Sequence, residues 1–231
     1  SIMRFVDNDS IKNMDGSILQ LPTSKGCVAR CTFCQRYTKG YRKYDLDRLE
    51  AYSKEMKERY NIRAVHVTDE NFGSNVKQAI EFSEIMKKLG LYWSAGGVRC
   101  RTFSKDDYRI LKNNNCYYLK FGIESGSQKI LRDMKKGLLI SKIKDTFKWG
   151  KELGMERRGY FILGMPNETK EDVKLTEKLV DEIQPDEFGI TILCPYPGTD
   201  HYDPKTMKNI NWNVMDEYSN PFWETEHFSN Q

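Results

Sequence analysis

The sequence predicts an α/β fold, a partial (β/α)6 TIM-like barrel of parallel strands. Short apolar runs alternate along the chain with longer segments of helical periodicity. The runs show little apolar–polar alternation, which is typical of strands buried on both faces of a parallel sheet. Polar residues or glycines follow each run directly. Together these observations favour strands that are connected by helices and whose carboxyl ends meet on one rim.

Six strands are predicted, and helical sequence follows every strand except the last. The predicted strands cover 18–21, 64–67, 92–98, 117–123, 159–163 and 188–193. The predicted helices cover about 45–60, 76–89, 104–113, 128–135, 141–153 and 170–183. Ser104 and Thr169 precede two of these helices, and their hydroxyls can accept hydrogen bonds from the first free backbone amides.

The chain is expected to form one core domain over residues 1–200, with no internal repeat and no low-complexity linker. Residues 201–231 differ in character, because Asn, Trp, Tyr and Pro are frequent and periodicity is weak. This segment is predicted to wrap the core or to lead into a further domain.

Composition excludes several functional classes. The 231 residues carry 37 Lys and Arg against 33 Asp and Glu, a net charge of +4, so nucleic acid is an unlikely partner. The basic, tyrosine-containing run 36–44 is expected to be a solvated loop. No run reaches the roughly 18 apolar residues that a bilayer requires, and the first five residues lack the apolar core of a signal peptide. A cytoplasmic protein without a membrane partner is expected.

The ends of the six predicted strands are expected to form one site, because ligands of parallel α/β folds bind at this rim. Cysteines follow the first strand, Asp69, Glu70 and Asn71 the second, and Arg99 the third. Glu124 and Ser125 follow the fourth strand, and glycine- and proline-rich segments follow the last two.

The cysteine loop, residues 26–34, contains Cys27, Cys31 and Cys34 in the spacing C-x3-C-x2-C. A closed zinc site would need a fourth ligand, and none of the three histidines has a suitable spacing to the loop. Thiolates also bind [4Fe–4S] clusters, and three of them would leave one iron open to a small-molecule chelator. The remaining cysteines, at 100, 116 and 194, are interpreted as small buried residues.

This spacing, with Phe33 just before the last cysteine, resembles the radical S-adenosylmethionine (radical SAM) superfamily. The segments 122–127, 163–169 and 195–199 resemble its cobalamin-associated branch, and the likeness extends from about residue 19 to residue 228. The resemblance implies that the three cysteines bind a [4Fe–4S] cluster. It also implies that the cluster reductively cleaves S-adenosylmethionine to a 5′-deoxyadenosyl radical, which abstracts hydrogen from a substrate.

The resemblance implies further cofactor contacts, residue by residue. Glu124, with Ser125 beside it, corresponds to the ribose-binding position, and either Arg99 or Lys136 would pair with the cofactor carboxylate. The segment from Asp69 to Asn71 stands where the family often has Gly-Gly-Glu, which binds the cofactor amino group. The adenine contacts would come from Phe33, Tyr160, Ile162 and Leu193.

The expected reaction is methyl transfer or ring formation on a small-molecule or peptide substrate, with an electron donor such as flavodoxin or ferredoxin. Three alternatives stay open for cobalamin: it is not used, it is bound by a partner, or it is bound by a domain outside this chain. Within enzymes, the alternative is a methylthiotransferase of tRNA or protein. The alternatives of another class are a non-catalytic iron–sulfur electron carrier and a zinc-binding module.

Overall fold

The computed structural model describes residues 16–35, 40–218, 220 and 222–229. Residues 36–39 of the basic run and the first five residues of the chain lie outside this part. A six-stranded parallel sheet has the order β1-β4-β5-β6-β7-β8, which confirms the predicted partial barrel. These strands are β1 (Ser17–Leu21), β4 (Ile62–Val67), β5 (Tyr92–Val98), β6 (Cys116–Glu124), β7 (Glu156–Leu163) and β8 (Glu187–Ile192).

Six helices connect the strands of this sheet. They are α1 (Leu46–Tyr60), α2 (Val76–Lys88), α3 (Lys105–Asn113), α4 (Gln128–Asp133), α5 (Ile140–Glu152) and α6 (Lys170–Ile183). Ser104 and Thr169 are N-caps as predicted, and each forms a reciprocal capping box with an aspartate three residues later.

The outer face of the sheet packs against the helices and forms the main core. This face is mainly apolar in β1, β4, β5 and β6, so burying it drives the helices onto the sheet. In β7 it includes the buried Arg157, and in β8 its residues Phe188, Ile190 and Ile192 are exposed. Its most buried members are Val65, Val67, Trp93, Ala95, Leu119, Phe121 and Phe161.

The structure corrects the sequence prediction at three places. An antiparallel ribbon of β2 (Ser24–Lys25) and β3 (Arg42–Lys43) flanks the cysteine loop, and strands this short leave no periodic signal. Glu124 is the last residue of β6 rather than part of the following loop. The strands are not buried on both faces, because the inner face of β6, β7 and β8 is half-exposed and carries polar residues such as Lys120 and Arg158.

The segment after β8 contacts the sheet through backbone groups and one tryptophan. The backbone amide of Ile192 donates to the carbonyl of Glu217, and the side chain of Asn220 donates to the carbonyl of Leu193. The Trp223 indole donates to the Gly164 carbonyl over 2.6 Å. Glu217, Asn220 and Trp223 therefore lie against the carboxyl ends of β7 and β8.

In the described part of the chain, no helix combines the length and the apolar character needed to cross a membrane.

Candidate cofactor site at the cysteine loop

A cavity of about 170 Å³ lies at the carboxyl ends of the parallel strands. It brings together the cysteine loop and the ends of β4, β5 and β6, as the topology predicts. Its lining residues are Cys27, Ala29, Cys31, Phe33, Cys34, Glu70, Asn71, Gly97, Val98, Arg99, Gly122, Glu124 and Lys136.

Asp69 anchors the chain where it enters the cysteine loop. Its buried carboxylate accepts hydrogen bonds from the backbone amides of Thr23 and Ser24 at 2.6 and 3.0 Å. It also accepts bonds from the two hydroxyl groups at 2.7 and 2.5 Å. Glu70 extends this anchoring, because its Oε1 accepts the Gly26 amide at 3.1 Å. Asp69 is absent from the cavity lining, so its contribution to the site is to fix the loop.

Thr32 fixes the second half of the cysteine loop between α4 and the segment after β8. Its amide donates to the Met134 carbonyl at 3.0 Å, and its carbonyl accepts the Asp200 amide at 2.9 Å. Its hydroxyl lies 3.0 Å from Nε2 of His201. Sequence spacing did not reveal His201, because 169 residues separate it from Thr32.

The three loop cysteines differ in exposure. Cys31 is buried, Cys27 is half-buried and Cys34 is exposed. The Arg99 Nη1 lies 3.8 Å from the Cys31 sulfur, where a cation stabilises a thiolate. Among the described residues, no three His, Cys, Asp or Glu side chains are gathered to bind a single metal ion.

Two glycines form the floor of the cavity. Gly97 has φ +64°, and a Cβ atom there would lie 2.6 Å from the Asp69 carbonyl oxygen. A Cβ atom on Gly122 would lie 2.5 Å from Oε1 of Glu124 and 2.9 Å from Nζ of Lys136. Gly97 needs glycine because its neighbours are backbone atoms, whereas a side chain at Gly122 would displace the ends of the Glu124 and Lys136 side chains. The sequence offered a signal in the pair Gly96-Gly97 at the end of a predicted strand.

Three charged side chains are buried at the far wall of the cavity. The Lys136 ammonium contacts Oε1 of Glu124 at 2.5 Å, and both side chains are less than a tenth exposed. The Arg99 Nη2 donates to the Lys136 carbonyl. Glu124 adopts φ +72°, a left-handed conformation that is costly for a residue with a Cβ atom.

Two buried polar atoms among the lining residues have no protein partner. They are Oδ1 of Asn71, an acceptor, and Nε of Arg99, a donor. A buried polar atom without a partner costs free energy, so these atoms indicate a polar ligand. With three thiols, which are soft metal ligands, the lining fits an iron–sulfur cluster and a small zwitterion such as S-adenosylmethionine.

The other expected contacts lie outside the cavity lining. The Ser125 hydroxyl contacts Thr176 and the Ser127 amide within the protein, and Tyr160 lies under the Arg158 guanidinium. Ile162 and Leu193 belong to a second apolar cluster that Phe33 joins to the cavity. The roles of these residues in adenine or ribose binding stay predictions.

The remaining cysteines are buried, as predicted. Burial raises the pKa of Cys100 to about 12 and raises the pKa of Cys116 and Cys194 as well. Their sulfurs therefore stay protonated at neutral pH, which fits packing rather than cluster ligation.

The fold and site together define the class of protein. The half-barrel with three cysteines and a polar cavity at its strand ends is the architecture of an enzyme that binds a cofactor at this rim. The family model described as the radical SAM superfamily matches residues 21–180. The chain therefore belongs to the radical SAM superfamily of enzymes.

Similar proteins include methyltransferases and a methylthiotransferase. An uncharacterized methyltransferase of Pyrococcus horikoshii is 31% identical over 90% of this chain and 47% of its own length. A Methanocaldococcus jannaschii protein provisionally named a methylthiotransferase is 29% identical over 87% of this chain and 47% of its own length. The chain thus spans about half the length of these relatives.

The fold is also that of a solved radical SAM methyltransferase, TsrM of Kitasatospora setae, whose structure contains cobalamin and a [4Fe–4S] cluster. The TM-score is 0.73 at 18% identity, over 80% of this chain and 36% of that one. This likeness concerns the fold alone.

Proposed function

We propose that this chain is the catalytic core of a radical SAM methyltransferase, and that its cavity holds a [4Fe–4S] cluster and S-adenosylmethionine. The observation that carries the proposal is one cavity lined by Cys27, Cys31 and Cys34 together with the buried polar atoms of Asn71 and Arg99. When bound and reduced, this pair of cofactors supplies the electron transfer that breaks a carbon–sulfur bond.

The chain's own residues bind, orient and shield the cofactors. The three cysteines are the cluster ligands, and Arg99 offsets the negative charge at Cys31. Asn71 Oδ1 would accept a hydrogen bond from the cofactor amino group, and Arg99 Nε would donate to its carboxylate. Because Lys136 already pairs with Glu124, Arg99 rather than Lys136 is proposed as the carboxylate partner.

Glu124 and Lys136 are proposed to face the ribose, where one carboxylate oxygen can accept from a hydroxyl. Phe33 lies at the cavity with its ring 5.7 Å from the Lys136 ammonium, and with Val98 it limits the access of water. A dry cavity strengthens these charge interactions.

A methyltransferase is preferred over a methylthiotransferase because the P. horikoshii relative, named a methyltransferase, is 31% identical to this chain. The M. jannaschii relative, named a methylthiotransferase, is 29% identical. Since TsrM holds cobalamin, we also propose that cobalamin is supplied by a domain outside this chain or by a partner. The reductant would be a small electron carrier such as flavodoxin or ferredoxin.

The test is anaerobic reconstitution with iron and sulfide, followed by dithionite and S-adenosylmethionine. We expect about four irons per chain and 5′-deoxyadenosine by chromatography, and we expect Cys31→Ala to lose both. Cys116→Ala, which removes a buried thiol at the opposite end of the sheet, is the matched control and should retain both. A four-iron cluster that leaves the cofactor intact would instead support the electron-carrier alternative.

A further inference from the structure

We infer that the inner face of the sheet binds the anionic group of the substrate, through Lys120 of β6 and Arg158 of β7. This inference deepens the proposed function and rests on it, since it names the substrate class of the same half-barrel. The inner face is the one that points away from the helices. Its polar residues are Gln20, His66, Ser94, Tyr118, Lys120, Glu156, Arg158, Tyr160, Glu187 and Thr191.

Three neighbouring strands carry a row of charged residues on the inner face. Lys120 is directly opposite Arg158, and Arg158 is directly opposite Glu187. Like charges opposite each other destabilise a sheet. In this row, Glu187 accepts from the Tyr118 hydroxyl at 2.5 Å and lies 3.3 Å from Arg158, and the Lys120 ammonium lies 5.5 Å from the centre of the Tyr118 ring. Glu156 shares the face but lies one pair nearer the amino ends, opposite Tyr118.

The direction of the pKa shift of Lys120 agrees with this charge pattern. Burial lowers the pKa of Lys120, and the nearby Arg158 lowers it further, whereas Glu187 raises it. An anion placed between the two cations would relieve their repulsion and gain two charge-assisted hydrogen bonds.

Neighbouring side chains hold the Arg158 guanidinium in one orientation. Its guanidinium lies 5.0 Å from the centre of the Tyr160 ring, a distance at which a cation is attracted to the ring. Nη1 faces Glu187, while Nε is buried and has no protein partner. A planar group fixed in this way suits a carboxylate or phosphate, which can bind two donors of the fork at once.

Lys120 and Arg158 lie below the cavity, toward the amino ends of their strands. Lys120 precedes Gly122 by two residues on β6, and Gly122 both lines the cavity and pairs with Tyr160. At about 3.3 Å per residue, the two cations lie roughly 7 Å below the cavity floor. When the anionic end of a small molecule contacts Arg158 and Lys120, a carbon a few bonds from that end therefore reaches the cavity.

The experiment measures binding of two anionic probes, benzoate and phenyl phosphate, to the reconstituted 231-residue chain by ligand-observed NMR. Benzamide, which has the shape of benzoate without its charge, is the neutral comparison. We expect both anions to bind and benzamide to bind at least about tenfold more weakly. Preference between the two anions tells whether the group is a carboxylate or a phosphate.

Arg158→Gln is expected to weaken anion binding by about tenfold or more, and Arg158→Lys by less. Lys120→Gln, on the neighbouring strand, is the second variant in case the first does not fold. Arg109→Gln makes the same change on exposed helix α3 and should bind like the wild type. Equal binding of benzoate and benzamide, or unchanged benzoate binding in both Arg158→Gln and Lys120→Gln, overturns the inference.

The probe-binding result does not depend on whether the chain cleaves S-adenosylmethionine. Failure of the wild-type chain to release 5′-deoxyadenosine would count against the proposed function, while the probes would still report on the inner face. Conversely, if the chain cleaves S-adenosylmethionine but does not bind the probes, only the proposed anionic substrate class is overturned.

Discussion

At Gly97 the backbone of β5 lies close to the segment that follows β4. The carbonyl oxygens of Asp69 and Glu70 lie within 3 Å of the position of a Cβ atom, and φ is +64°. Any side chain would push β5 away from the segment that carries Asp69 and Asn71. Gly154 has nearly the same φ, +62°, but nothing lies within 4 Å of its Cβ position. Comparing substitutions at the two glycines therefore separates the effect of the left-handed backbone conformation from the effect of crowding at the Cβ position.

We therefore expect Gly97→Ala to lower the free energy of unfolding by about 1–3 kcal/mol more than Gly154→Ala. Denaturant unfolding measures the difference, and iron content after reconstitution reports the cavity. Gly97→Ala should also retain less cluster, because the anchor of the cysteine loop shifts. Equal destabilisation by the two substitutions would mean that the close approach at Gly97 is unimportant.

At the scale of elements, Asp172 connects the α6 N-terminus to the loop between β6 and α4. Its carboxylate accepts from the Ser127 hydroxyl at 2.6 Å and from the Thr169 amide at 3.0 Å, and Lys129 lies 2.6 Å away. Burial raises the pKa of Asp172, but these partners outweigh burial and lower it below its ordinary value of 3.8. The charged carboxylate thus links two elements that follow neighbouring strands.

Because the pKa of Asp172 is lowered in the folded state, Asp172 makes the stability of the fold depend on pH. A carboxyl whose pKa is lower in the folded state stabilises the fold above its unfolded pKa and loses this contribution as pH falls. We expect Asp172→Asn to be less stable than the wild type at pH 7, and the difference to shrink as pH falls below about 4. Denaturant unfolding at pH 7 and pH 3 measures both. A difference that is constant with pH would show that the charge of Asp172 contributes nothing.

At the scale of the whole molecule, Trp223 connects the segment after β8 to the cofactor site. Its indole donates to Gly164, and its ring packs on the second apolar cluster, which includes Met165 and Phe33. It also lies 6.4 Å from the ring of His201, the residue that contacts Thr32 in the cysteine loop. Residues far apart in sequence thus support one loop.

Replacing a fully buried tryptophan with alanine lowers the free energy of unfolding by roughly 3–5 kcal/mol. Because Trp223 is half-buried, we expect Trp223→Ala to lower it by about half as much. Reconstituted protein should then lose iron to a chelator faster than the wild type. Trp212→Ala is the control, because Trp212 packs on Tyr196 and Tyr202 away from that cluster. Identical iron loss in the two variants would separate Trp223 from the cysteine loop.

The sequence alone determined the order of strands and helices, the rim on which the site lies and the three cysteines. These follow from periodicity, capping residues and spacing, which are local properties of the chain. Only the tertiary structure decided that Asp69 anchors the loop, that His201 contacts Thr32 and that the buried Arg99 Nε has no protein partner. It also placed Lys120 opposite Arg158 on a half-exposed inner face. Register and burial decide these contacts, and both depend on segments that are distant in the sequence.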